Sequence, residues 1–156
     1  MKNNIPKLSD DEVQDGVCLA KSSPRKRHHR ILHEKGASFN EVFNFMDTDS
    51  YMQPHLHPGT EKIEEIHVLH GKLGIIFFDD TGAISKCKTL GEGFDDKVSV
   101  PAYAYHTYVV LSEYVVTYET MMGVYEPMTW KKMANWAPVE EDSLAQTYFL
   151  GLKGNF

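Results

Sequence analysis

Cysteine is scarce in this sequence: Cys18 and Cys87 are the only two among 156 residues, far apart and without metal-type spacing. That excludes a disulfide scaffold and a thiolate zinc site, and leaves two reduced thiols of a cytosolic protein as the expectation. Long apolar runs are missing too. No stretch approaches the roughly 18 apolar residues of a membrane span, and Met1 to Asp15 lacks the apolar centre of a signal peptide. The cytoplasm is therefore the expected compartment, with no membrane partner. Positive charge is also short: 16 Lys and Arg against 22 Asp and Glu give a formal net charge of -6, which argues against general nucleic-acid binding. Helical periodicity is nearly absent from the middle of the chain. No internal repeat or linker divides it, so a single domain over 1–156 is expected.

What is present reads mostly as short strands, in a composition (42% hydrophobic, 24% charged) ordinary for a globular domain. Ser9-Asp10-Asp11-Glu12 fits a capping box that starts a helix, expected to be short because Gly16 follows, and Val17 to Ala20 reads as a short strand. Arg25 to Arg30 is a basic run, readable as a solvated face or as arginines that point into a pocket and hold an anion bidentately. Phe39 to Phe45 alternates loosely, and Asp47 to Ser50 is a turn cluster. Ile63 to Leu69, Leu73 to Phe78, Ala83 to Leu90, Val98 to Pro101, Thr107 to Leu111 and Tyr114 to Thr120 then follow at the spacing of a barrel or sandwich. Asp79-Asp80-Thr81-Gly82 makes a hairpin turn between two of them. Ser143 to Leu150 carries apolar residues at helical spacing. The expected fold class is all-β: a barrel core over 47–122, an N-terminal extension (1–46) bearing the basic run, and a C-terminal segment (123–156) with a short helix.

His55 and His57 project from the same side of an extended backbone and can share one metal ion. Alone they are a weak signal, because neutral imidazoles are comfortable on an exposed strand. Glu64 is the best carboxylate partner, with Glu61 and Glu65 as rivals. Strand parity separates the neighbours: Glu64, Ile66 and Val68 share one face, Glu65, His67 and Leu69 the other, and the first is apolar after its carboxylate. A carboxylate leading a buried face needs a cation beside it or a proton on it. His106 opens a strand whose same-face residues are Tyr108 and Val110. Tyr108 and Tyr105 are candidate proton donors or lining residues beside it. His67 and His70 are expected to be structural or surface residues, and Trp130 and Trp136 to pack where barrel and C-terminal helix meet.

His55-x-His57, Glu64 with six residues before Gly71, and Pro101 with four residues before His106 together resemble the two metal-binding motifs of the cupin superfamily. The resemblance implies a small antiparallel jelly-roll β-barrel with one divalent ion (Zn, Fe, Mn or Ni) in its mouth, held by His55, His57, Glu64 and His106. Departures are visible. Six residues separate His57 from Glu64 where many cupins have three or four, and Tyr103 stands where a glycine is common. A spacing of three selects Glu61, but then Val68 falls where the motif has its glycine. Ser23-Pro24-Arg25 with Arg27 and His33, Ser50-Tyr51 running into Pro54-His55, Phe78-Asp79-Asp80-x-Gly82, His106-Thr107, and Trp136-Ala137-Pro138 with Glu140-Glu141 are similar to the WbuC-type cupin-fold metalloproteins encoded in bacterial surface-polysaccharide clusters. Arg25, Arg27 and His33 are the candidate substrate-binding residues, and arginines folded over a barrel mouth suit nucleotide sugars, phosphosugars or sugar acids. The expected function is metal-dependent, isomerase- or epimerase-like chemistry on a small polar metabolite. A non-haem iron dioxygenase and a non-catalytic sugar- or metal-binding module are the alternatives. Barrels of this resemblance commonly pair, so a homodimer is expected.

Overall fold

The computed structural model describes residues 4–156. Helix α1 (Asp10–Ser22) opens with the expected capping box: Ser9 Oγ accepts from the Glu12 amide at 3.2 Å, and Glu12 Oε2 accepts from the Ser9 amide at 2.8 Å. The helix does not stop at Gly16. It continues through Val17 to Ala20, so the strand expected there is helix instead. The reason lies in packing, since a Cβ on Gly16 would meet the Phe45 ring at 2.3 Å. Glycine lets the helix lie directly on the sheet, where Val13, Val17 and Ala20 bury against Phe43, Phe45, Val116 and Tyr118.

Among the described residues ten strands form two five-stranded sheets. One contains β1 (Arg27–Ile31), β2 (Phe39–Asp47), β4 (Glu64–His70), β7 (Lys97–Val100) and β9 (Tyr114–Met122), in the order β1-β2-β9-β4-β7. The other contains β3 (His55–Leu56), β5 (Lys72–Phe78), β6 (Ile84–Gly91), β8 (Tyr105–Val110) and β10 (Lys132–Met133), in the order β10-β3-β8-β5-β6. Every ladder is antiparallel. Inward residues such as Met46, Ile66, Val68, Leu73, Ile75, Tyr108 and Val110 fill the space between the sheets. The outer face of the first sheet is covered by α1. That of the second is covered by α2 (Ala145–Lys153), whose Phe149 and Leu152 pack with Ile76, Tyr105 and Val109. Strands β8 and β9 therefore serve two cores at once and are buried along nearly their whole length.

The Asp79 turn forms as expected, its Oδ1 accepting from the Thr81 amide at 2.8 Å and the Ala83 amide at 3.0 Å, with Gly82 at a φ of +91°. The barrel reaches further toward the N-terminus than its expected core. Strands β1 and β2, placed by the sequence in an extension up to residue 46, belong to the first sheet, and β2 is one of its central members. The basic run is thus an edge strand. Arg27 and His29 sit opposite Met46 and Asn44 and face inward with them, while His28 and Arg30 face α1, where Arg30 pairs with Glu12 at 2.9 Å. Among the described residues no helix is long and apolar enough to cross a membrane.

Candidate metal centre

Strands β3 and β8 pair with His55 directly opposite His106, and parity along the extended chain then turns His57 to the same interior as His55. The ligand atoms of the three imidazoles lie within 4.8 Å of one another, and all three rings are buried. Strand β4 brings Glu64 to them from the opposite sheet: Oε2 is 3.1 Å from His106 Nε2 and 3.3 Å from His57 Nε2. Glu65 points the other way, to Lys97 and Ser99, and Glu61 is exposed. The face selected by parity is the face that meets the histidines.

Each imidazole has its Nδ1 on a backbone carbonyl: His55 on Gln53 O at 3.0 Å, His57 on Trp130 O at 2.9 Å, His106 on Ala104 O at 2.9 Å. A carbonyl only accepts, so each Nδ1 carries the proton, and a neutral ring then presents a bare lone pair at Nε2. The arrangement fits a cation. His57 Nε2 is buried without a hydrogen-bond partner despite its nearness to Glu64, and His106 Nε2 faces the same carboxylate oxygen. Lone pairs facing a carboxylate at such distances require positive charge between them, from a proton or from a metal ion. For His55 the proton is disfavoured. Burial first, and then the charges of Lys131, His106 and His57, hold its pKa well below the usual histidine range. Three such nitrogens and one carboxylate make an N,O donor set of the kind that Zn, Fe, Mn and Ni accept.

Two further groups complete the interior. Glu119, on the inward face of β9 opposite Ile66, is buried with Thr117 Oγ1 donating to it at 2.8 Å. Burial, with the neighbouring Glu64 charge, pushes its carboxyl up to about 8. Glu64 moves the opposite way: burial raises its pKa, but the His106 and His57 imidazoles beside it outweigh this and hold it well below the carboxylate range. Tyr108 Oη is buried with no partner, and burial, then Glu119 and Glu64, keeps its proton on. Glu119 is absent from the candidates drawn from sequence. Its signal was a lone carboxylate within the otherwise uncharged run from Tyr114 to Met122.

The remaining sequence candidates lie elsewhere. Tyr105, named with Tyr108 as a proton donor, is on the opposite face of β8, packed edge-on against Trp136 at 5.6 Å. Arg25 and Arg27 both grip Glu140: Arg25 Nε and Nη2 donate to its two oxygens at 2.9 and 3.1 Å, and Arg27 Nη2 donates to Oε1. They stitch β1 to the C-terminal segment and are not free cations at the centre. His33 follows β1 and accepts from the Glu41 amide at 3.0 Å, so the structure does not bring it to the imidazoles. Trp136 packs under α2 as expected, whereas Trp130 lies 6.2 Å from the His57 ring. Tyr103 takes a φ of +62°, so the backbone at this position does adopt the conformation glycine favours.

Residues 8–90 match the family model described as a domain of unknown function, DUF6016. The chain belongs to this family. No curated protein matches the chain. Among solved structures, protein SO0799 from Shewanella oneidensis is similar at a TM-score of 0.63 and 10% identity, over 94% of this chain and 96% of that one. The DMSP lyase DddQ from Ruegeria pomeroyi is similar at 0.55 and 17%, over 72% of this chain and 54% of the lyase. The oxalate decarboxylase of Lactobacillus farciminis is similar at 0.51 and 14%, over 69% of this chain and 31% of that enzyme. This DUF6016 chain thus spans about half of the lyase and a third of the decarboxylase. At these identities the likeness shows the fold, a small cupin barrel.

Proposed function

We propose that this chain is a metal-dependent cupin enzyme acting on a small polar metabolite, a sugar or nucleotide-sugar derivative, by isomerase- or epimerase-like proton transfer. The observation that carries the reading is the convergence of three Nδ1-protonated imidazoles on one buried carboxylate. A bound divalent ion supplies Lewis acidity toward a carbonyl or hydroxyl oxygen. The chain's own groups handle protons. Tyr108 keeps its hydroxyl proton, and its Oη has no hydrogen-bond partner among the described residues, so it is available to donate a hydrogen bond to substrate. Glu119 holds a proton at neutral pH while Glu64 is ionised, the separation of roles that acid–base work on one substrate needs. The resemblance to WbuC-type cupins supports a sugar derivative as substrate and a place in surface-polysaccharide synthesis.

Metal analysis of the purified protein, followed by sugar-conversion and oxygen-uptake assays, tests this. The expected outcome is one divalent ion per chain and sugar conversion without oxygen consumption. Iron with oxygen uptake makes the protein a dioxygenase instead, and sugar binding without turnover makes it a recognition module.

A further inference from the structure

One cation at the barrel mouth is not used by the fold. Strand β10 pairs with β3 so that Met133 lies opposite His55 and Lys132 opposite Leu56. Carried one residue further, that register sets Lys131 opposite His57, and cross-strand partners point to the same face. His57 faces the barrel interior, so Lys131 does as well. The preceding peptide is pinned there, because the Trp130 carbonyl is the acceptor for His57 Nδ1 at 2.9 Å. Lys131 itself remains exposed to solvent.

The charges around it divide into two groups. Glu64 and Glu119 lie toward the interior, and Arg25 and Arg27 lie toward the edge of β1. The arginines are engaged by Glu140, and Glu64 is engaged by two imidazoles. Among the described residues Lys131 itself has no ion pair and no side-chain hydrogen bond. A solvent-exposed ammonium with no fixed partner is free to meet a negative group that enters the barrel. His29, inward-facing on β1, feels the field of the same lysine and offers a second nitrogen at this opening.

We infer that Lys131 recognises an anionic oxygen group, a carboxylate or a phosphate, on the molecule that enters the barrel, and so directs its other end to the histidine cluster. This rests on the reading of the barrel interior as the reacting centre. It places the anion contact on the 123–131 segment and not on the arginines of the basic run.

Inorganic phosphate, gluconate and neutral glucose are the probes, titrated by NMR against wild-type, Lys131→Met and Lys131→Arg protein, both as purified and after chelator treatment, with metal content measured in parallel. Phosphate and gluconate are expected to bind the wild type, the stronger of the two identifying the group recognised, and glucose at least tenfold more weakly. Lys131→Met should weaken both anions at least tenfold in chelated protein, with metal content unchanged in untreated protein, and Lys131→Arg should restore most of the affinity. Equal anion affinity in Lys131→Met and wild type overturns the inference, as does failure of the wild type to bind either anion. Loss of metal in Lys131→Met also overturns it, because the residue would then support the metal centre. A wild type without metal that still shows Lys131-dependent anion binding removes the metal reading and leaves this inference standing.

Discussion

Glu64 and Glu119 occupy the same barrel interior, and their surroundings drive them apart: the neighbouring imidazoles hold the first ionised, and burial beside the first keeps the second protonated. The consequence for stability has a definite sign. A carboxyl raised from 4.5 to about 8 makes the folded state bind more protons than the unfolded one across that interval, so stability falls as pH rises through it. In metal-free protein, Glu119→Gln should flatten this decline and gain up to a few kcal/mol at pH 8 relative to wild type, read from urea unfolding at a series of pH values. At the candidate metal centre, His57→Ala should lose the ion while keeping the far-UV circular dichroism of the barrel, and Glu61→Ala should bind metal as the wild type does. The reverse pattern, read by elemental analysis, would overturn the choice of Glu64. The placement of Glu64 on the face that meets the histidines was legible in the sequence because period-2 alternation on one strand is local. Glu119 and Lys131 were not legible, because each meets the centre through a partner strand whose register no local pattern states.

At the scale of elements, α1 shows how a local signal is overruled. Gly16 reads as a helix breaker, and its intrinsic cost in a helix is about 1 kcal/mol relative to Ala. Contact with Phe45 decides otherwise, and the helix runs on. Gly16→Ala should therefore destabilise the protein by about 1–2 kcal/mol in urea unfolding, because overpacking against a buried ring exceeds the propensity gained. The capping box and the Asp79 turn, whose partners lie within four residues, appear where the sequence puts them. Strand β2 was harder to see, since its loose alternation hides two demands: Phe43 and Phe45 serve the helix side, Met46 serves the barrel interior.

For the molecule as a whole, Glu140 joins the first strand to the last quarter of the chain by accepting from both Arg25 and Arg27. Removing it leaves Arg27, whose side chain is 9% exposed, without its counter-charge. Glu140→Ala should cost about 1–3 kcal/mol of unfolding free energy, less than a fully enclosed pair because Arg25 is 56% exposed, with metal content retained. A different long-range tie governs the centre. The carbonyls that orient His55 and His106 belong to residues two positions earlier in the same chain segment, but the one that orients His57 belongs to Trp130, 73 residues away. That turn is held by Lys62, whose Nζ donates to Thr129 O at 3.2 Å and sits 4.9 Å over the Trp130 ring. An opening of that turn would release one imidazole from its orientation and leave the carbonyls of the other two in place. For an ion held by these imidazoles, the exchange rate would then follow the opening of this turn and not the equilibrium affinity alone.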